Sequence, residues 1–108
     1  METLQDWIIQ LKQTEKLIIV EGKKDKKALE TLGIKNIVTF SNSPYFSIEN
    51  INEKEVIILT DLDAHGRKLY SILRHNLQKR GIKVDHNFRE FLFKETKVTC
   101  IESLAKHI

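Results

Sequence analysis

Residues 57–66, Ile57-Ile58-Leu59-Thr60-Asp61-Leu62-Asp63-Ala64-His65-Gly66, set the fold class of this chain. An apolar run ends in two aspartates two residues apart, then meets a glycine and an amphipathic helical pattern. A buried strand of this kind carries carboxylates to its own C-terminal end, which in an open α/β sheet is where ligands bind. Upstream, Leu17-Ile18-Ile19-Val20-Glu21-Gly22 repeats the plan with a single carboxylate. The β-branched Ile18, Ile19 and Val20 fit a strand covered on both faces.

The segments around these two runs read as alternating helices and strands. Thr3 can cap a first helix in which Leu4, Trp7, Ile8 and Leu11 recur at helical spacing, fading near Gln13-Thr14. After Gly22, Asp25 suits the N-cap or first turn of a short helix with Ala28, Leu29 and Leu32 inward and Gly33 at its C′ position. A second strand is best defined over Ile37–Phe40. Residues 41–50 form a loop around Pro44, whose Tyr45, Phe46 and Ile48 can pack on the sheet.

The central strand runs Val56–Thr60. Ala64–Arg80 is the longest helical pattern, with Leu69, Ile72, Leu73 and Leu77 as its inward stripe, and Gly81 ends it. Ile82–Phe88 is a weak edge strand carrying Ile82, Val84 and Phe88, and Phe91–Phe93 continue the core or form a local turn. Thr99 and Glu102 have the spacing of a capping box for a last helix bearing Ile101, Leu104, Ala105 and Ile108. This alternation predicts a three-layer α/β domain with a mostly parallel sheet of about four strands and right-handed crossovers. Strand order stays open. If Glu21 and the aspartates act together, their strands must be neighbours or nearly so.

A chain of 108 residues is one small domain, residues 1–108, able to bury roughly 65% of its extended-chain surface. Its 41% hydrophobic and 31% charged residues are ordinary globular composition and argue against wholesale disorder. No apolar run approaches the roughly 18 residues of a membrane span, and the acidic start with Glu2 and Asp6 is unlike a signal peptide. The cytoplasm is therefore the default compartment. The single Cys100 excludes an internal disulfide and a multi-cysteine zinc site. A net charge of +3 permits a phosphate-bearing partner without requiring one. Only Arg67, Arg74, Arg80 and Arg89 among the basic residues are arginines, and the lysine excess suits a diffuse field, or simply a solvated surface.

Asp61 and Asp63, at i and i+2, would point the same way on a continuing strand. With Glu21 at the same rim, three negative charges would share a small region and call for a counterion. Mg²⁺, with Mn²⁺ as a substitute, takes hard oxygen ligands and keeps waters while meeting phosphate oxygens. Such an ion would polarise a phosphodiester and activate a bound water. Glu21 reads either as a metal ligand or general base, or as a plain strand-ending glutamate. Asp63 is equally an N-cap for the helix beginning at Ala64. Lys23 and Lys24 are candidate phosphate contacts, extended by Lys26, Lys27, Arg67 and Lys68. His65 and the helix start at Gly66 offer further anion contacts, although His65 also reads as an ordinary exposed residue.

Leu17–Leu29 (LIIVEGKKDKKAL) and Ile57–Gly66 (IILTDLDAHG) resemble the two signature motifs of the Toprim domain. That domain occurs in topoisomerases, bacterial primases, old-family nucleases, recombination-repair proteins and the ribonuclease that matures 5S ribosomal RNA. The first motif corresponds to Glu21-Gly22 and the second to Asp61, Asp63 and Gly66, with the resemblance running from about residue 15 to 104 and the helix 3–14 preceding it. It implies a compact Rossmann-like Toprim fold, Mg²⁺ on Glu21, Asp61 and Asp63, and polynucleotide chemistry with Glu21 as general acid or base. Where type IA topoisomerases carry a third aspartate, this chain has His65, and Tyr45 and Tyr70 do not resemble their separate nucleophile. The chain looks like the small stand-alone Toprim proteins and is similar to the primase Toprim domain without its template-handling parts. Its Thr60–Gly66 segment is most similar to the catalytic half of the 5S-maturing ribonuclease. That enzyme's additional C-terminal region is absent, so its substrate specificity does not carry over.

The leading expectation is Mg²⁺-dependent phosphodiester chemistry on nucleic acid, RNA favoured over DNA, in the manner of an RNA-processing nuclease. The alternatives are a non-catalytic nucleic-acid-binding or adaptor module and, more weakly, a nucleotide phosphotransferase. The small surface leaves room for a partner protein or a homodimer.

Overall fold

The structure is a computed structural model that describes residues 1–41 and 46–108. Pro44 and Tyr45, assigned to a loop from sequence, lie outside the described residues. The element order is α1 (Leu4–Gln13), β1 (Leu17–Val20), α2 (Lys23–Thr31), β2 (Ile37–Thr39), β3 (Glu55–Ile58), α3 (Ala64–Lys79), β4 (Lys83–Asp85) and α4 (Asn87–Glu95). A short 3₁₀ turn, Ile48–Asn50, precedes β3, and a 3₁₀ segment, Ile101–His107, follows α4. Among the described residues no helix is long and apolar enough to cross a membrane.

The four strands form one sheet in the order β2-β1-β3-β4, every pairing parallel. Side chains alternate across it as the strand period requires. Ile18, Val20, Ile57 and Leu59 face a core shared with α1, α2, α4 and the C-terminal segment. Leu17, Ile19, Val56 and Ile58 face Leu73 and Leu77 of α3, with Ile51 and the half-buried Phe46 and Ile48 beside them. From β1 the chain crosses to β2 on one side, and from β3 to β4 on the other. Right-handed crossovers in opposite directions put α2 and α3 on opposite faces of the sheet. The carboxyl ends of β1 and β3 therefore flank the point where strand order reverses, the usual ligand crevice of such sheets.

Local chemistry explains most boundaries. Thr3 and Asp6 form a capping box at α1. The Trp7 indole Nε1 donates to the Phe88 carbonyl at 2.8 Å with the two rings edge-on, tying α1 to α4. At α2 it is Gly22 that occupies the N-cap, and Asp25, in the first turn, accepts the Gly22 amide at 3.2 Å. Gly81, at φ +77°, supplies the left-handed residue that ends α3.

Four expectations are corrected. Ile72 is 49% exposed. The buried line of α3 runs through Gly66, Leu73 and Leu77 with Tyr70 half-buried, and Ile72 stands about 100° around the helix from Leu73. Phe88 belongs to α4 and not to the edge strand, because Asp85 accepts the Asn87 amide at 3.0 Å and turns the chain into a helix. Phe91 and Leu92 follow it into the core, while Phe93 is exposed. Thr99 does not cap the last segment: Cys100 precedes it, the segment is 3₁₀, and Ala105 and Ile108 face solvent. The remaining correction concerns the two aspartates.

Candidate functional site

β3 ends at Ile58, and the chain turns within the next few residues instead of carrying Asp61 and Asp63 along one straight strand. The buried Thr60 hydroxyl donates to the Gly66 carbonyl at 2.8 Å, and the Asp63 carboxylate accepts the Gly66 amide at 2.7 Å as the N-cap of α3. Gly66 itself lies against the turn. A Cβ there would sit 1.9 Å from the Asp61 carbonyl oxygen. Only a residue without a side chain allows this closure, which is the physical content of the glycine in the second motif.

The two aspartates consequently point to different partners. Asp61 Oδ1 accepts the Ile101 amide at 3.0 Å, and the Leu62 amide donates to the Thr99 carbonyl at 2.8 Å. The C-terminal segment is thereby stitched onto the end of β3.

Across the sheet's switch point, Glu21, at the end of β1, lines a cleft of about 500 Å³ with Gly22, Lys23, Lys24, Asp25, Ser41, Asp61 and Glu102. Glu21 and Asp61 thus reach one cleft, and Asp63 is not among its lining residues. His65 Nε2 stands 3.5 Å from Glu21 Oε1, bridging the start of α3 to the end of β1. Lys23 and Lys24 are exposed in the first turn of α2, and Arg67 is exposed on α3. A larger depression of about 740 Å³ lies elsewhere, between α1 and α4, and contains the Lys16–Asp85 ion pair.

Electrostatics mark the cleft as strongly acidic. Burial, and then the nearby Asp61, Glu21 and Glu102 carboxylates, hold the Asp25 carboxyl above its ordinary range, although the Gly22 amide opposes them. Behind the turn, Arg89 of α4 holds the backbone at residues 60 and 61. Its Nε donates to the Thr60 carbonyl at 3.1 Å and its Nη2 to the Asp61 carbonyl at 2.7 Å, while its guanidinium lies 4.8 Å from the centre of the Tyr70 ring. Burial draws the Arg89 guanidinium below its usual value, partly offset by Tyr70, Asp61 and Asp63.

Arg89, Asp25 and Glu102 escaped the sequence reading as site residues. Asp25 carried only a capping signal, and nothing in the sequence around Arg89 or Glu102 ties either one to residue 61.

The carboxylate oxygens of this rim suit a hard cation such as Mg²⁺. The arrangement is less complete. Among the described residues no group of three or more His, Cys, Asp or Glu side chains is gathered to hold a metal ion. Asp63 and Asp61 each spend one carboxylate oxygen on a backbone amide, and no ready-made ligand set of Glu21, Asp61 and Asp63 results.

Comparison with known proteins places this rim in context. The Toprim domain family matches residues 15–87, spanning both acidic strand ends. The chain belongs to the Toprim family. Among curated relatives, a UPF0292 protein of Methanocaldococcus jannaschii shares 36% identity, covering 93% of this chain and 84% of its own length. A UPF0292 protein of Pyrococcus abyssi shares 39% identity, covering 79% of this chain and 67% of its own. A solved structure, described as a putative protein from Aquifex aeolicus, superposes with a TM-score of 0.87 at 38% identity, covering 95% of this chain and 99% of that one. The family match covers β1 and β3, which are neighbours in the sheet, and Gly66, the close-approach residue of the turn.

Proposed function

We propose that this Toprim domain is a nucleic-acid-binding module that engages the phosphodiester backbone, RNA in preference to DNA, beside the carboxyl ends of β1 and β3. The supporting observation is the use of the acidic rim. Asp61 and Asp63 both accept backbone amides, so they hold the β3–α3 turn and the C-terminal segment whether or not an ion is bound. Lys23 and Lys24 stand at the mouth of the same cleft, in the first turn of α2, where helix amides favour an anion. The order RNA before DNA is carried over from the sequence reading, and the RNA and DNA arms of the experiment below test it.

A second reading, Mg²⁺-dependent cleavage of a phosphodiester, is favoured by Glu21, Asp25, Asp61 and Glu102 meeting at one cleft. A bound Mg²⁺ would offset their repulsion and supply Lewis-acid chemistry to a phosphate. In that reading Glu21 is a ligand or general base, and Asp61 and Asp63 lend the carboxylate oxygens they do not spend on amides.

The two separate in one experiment. Wild type, Glu21→Gln and the Lys23→Ala/Lys24→Ala double variant are incubated with labelled RNA and DNA, with and without Mg²⁺ or Mn²⁺. The binding module gives salt-sensitive binding that survives Glu21→Gln, weakens in the lysine variant and yields no products. Metal-dependent products that vanish in Glu21→Gln, with folding intact, establish the second reading instead. Absence of binding to every nucleic acid refutes both.

A further inference from the structure

Between residues 64 and 84 the sequence holds Arg67, Lys68, Arg74, Lys79, Arg80 and Lys83 and not one Asp or Glu. The remaining residues hold all 15 acids against the other basic residues, which are twelve of the 18. The whole positive excess of the protein therefore sits on α3 and its exit into β4, and the rest of the chain is net acidic. A polyanion approaching the acidic cleft alone would be repelled. Lys23 and Lys24 are outnumbered there by Glu21, Asp25, Asp61 and Glu102, so nucleic acid held beside β1 and β3 needs the further attraction of α3.

The geometry of α3 suits that task. Its buried line through Gly66, Leu73 and Leu77 faces the sheet, so Arg67, Lys68, Arg74, His75 and Lys79 all stand on the exposed side. At 100° per residue they cover an arc of about 140°, and from Arg67 to Lys79 they run about 18 Å along the axis. That length matches about five phosphates of a duplex strand at ~3.4 Å axial spacing. Among the described residues none of Arg67, Lys68, Arg74 and Lys79 is engaged in a salt bridge. Arg80 is different: it is spent on the Ile48 and Ile51 carbonyls, clamping the segment that packs beside α3 on the same face of the sheet. The helix begins at Asp63 and His65, beside Glu21, so the basic face starts at the cleft and leads away from it. No Phe, Tyr or Trp stands on the exposed face, since Tyr70 packs inward under Arg89. The grip is to phosphates and not to stacked bases.

We infer that the solvent face of α3, through Arg67, Lys68, Arg74 and Lys79, is the track along which a nucleic-acid backbone lies, delivering one phosphodiester to the Glu21–Asp61 cleft at its N-terminal end. This rests on the nucleic-acid reading given above and adds the surface that holds the ligand. Sequence-independent binding with a steep salt dependence is the consequence.

The test is fluorescence anisotropy with a labelled single-stranded RNA of about 20 nucleotides, and its DNA counterpart, across about 50–200 mM KCl. The variant is Arg67→Ala/Lys68→Ala/Arg74→Ala/Lys79→Ala, whose exposed alanines favour helix. The control is Lys94→Ala/Lys97→Ala/Lys106→Ala, on the other side of the protein, with circular dichroism and melting temperature confirming that both fold. Four lost phosphate contacts lower the slope of log Kd against log salt by about 3, so wild type weakens about 50-fold more than the variant over that salt range. The control keeps the wild-type slope. Wild-type binding with an unchanged slope in the α3 variant overturns this inference and leaves the nucleic-acid reading standing. Failure of wild type to bind any nucleic acid overturns that reading itself. Competition by polyglutamate as effective as RNA overturns the assignment of a nucleic-acid partner to this face.

Discussion

Replacing Gly66 by alanine tests the geometry on which the site depends. The new methyl would lie 1.9 Å from the Asp61 carbonyl oxygen, 2.5 Å from its carbonyl carbon and 2.9 Å from its Cα. Ordinary contact needs about 3.4 Å or more, so the backbone at residue 61 must move by about 1.5 Å. That backbone has little freedom. Arg89 holds the Asp61 carbonyl, the Ile101 amide holds the Asp61 side chain, and Thr99 holds the Leu62 amide. Overpacking costs about 1–3 kcal/mol, and each strained hydrogen bond adds about 0.5–1.5 kcal/mol. The better helix propensity of alanine returns at most about 1 kcal/mol. A net loss of about 3 kcal/mol is expected, equivalent to a fall of roughly 12 °C in Tm for a domain of this size. Urea unfolding followed by circular dichroism reads it directly, with the m value unchanged. Gly81→Ala is the comparison: its added Cβ meets nothing within 4 Å, so only the positive φ of +77° is penalised, at about 1–2 kcal/mol. If Gly66→Ala proves within about 0.5 kcal/mol of wild type, the close approach of α3 to Asp61 is wrong, and the arrangement of the cleft with it.

Two further outcomes follow from the same contacts. Asp63→Ala removes the acceptor for the Gly66 amide and should cost about 1 kcal/mol in denaturant unfolding, with Asp63→Ser recovering most of it. The second concerns pH. Burial pushes the Asp85 carboxyl up, but the Lys16 ammonium at 2.8 Å and the Asn87 amide outweigh it, leaving the group below its ordinary value of 3.8. A depressed folded pKa stabilises the protein above the unfolded value, and that contribution is lost as pH falls through the folded value. Wild type should therefore lose stability below pH 3.8 partly through Asp85. Lys16→Met should remove about 1–2 kcal/mol at neutral pH, a figure reduced because Lys16 is partly exposed, and should flatten that acid limb in melting curves taken across pH. An acid limb as steep in the variant as in wild type would show that the pair does not set it.

The sequence by itself determined the units and their chemistry. The apolar runs at 17–20 and 56–59 read as buried strands, and a glutamate follows the first and two aspartates the second. Gly66 reads as a close-approach residue at a helix start, and Gly81 ends the long helical pattern. These are local signals, written in residues a few positions apart. Only the tertiary structure decided what those units meet. The order β2-β1-β3-β4 fixed which strand ends share a crevice, and no local pattern encodes it. Packing chose the stripe through Gly66 and Leu77 over one through Ile72, because both have helical spacing and only the neighbouring sheet distinguishes them. The Ile101 amide, forty residues from Asp61, and Arg89, twenty-eight away, settled how the acids and their turn are held. Hydrogen bonds between such remote groups exist only once two faces of the sheet are covered and both chain segments are brought to the same edge.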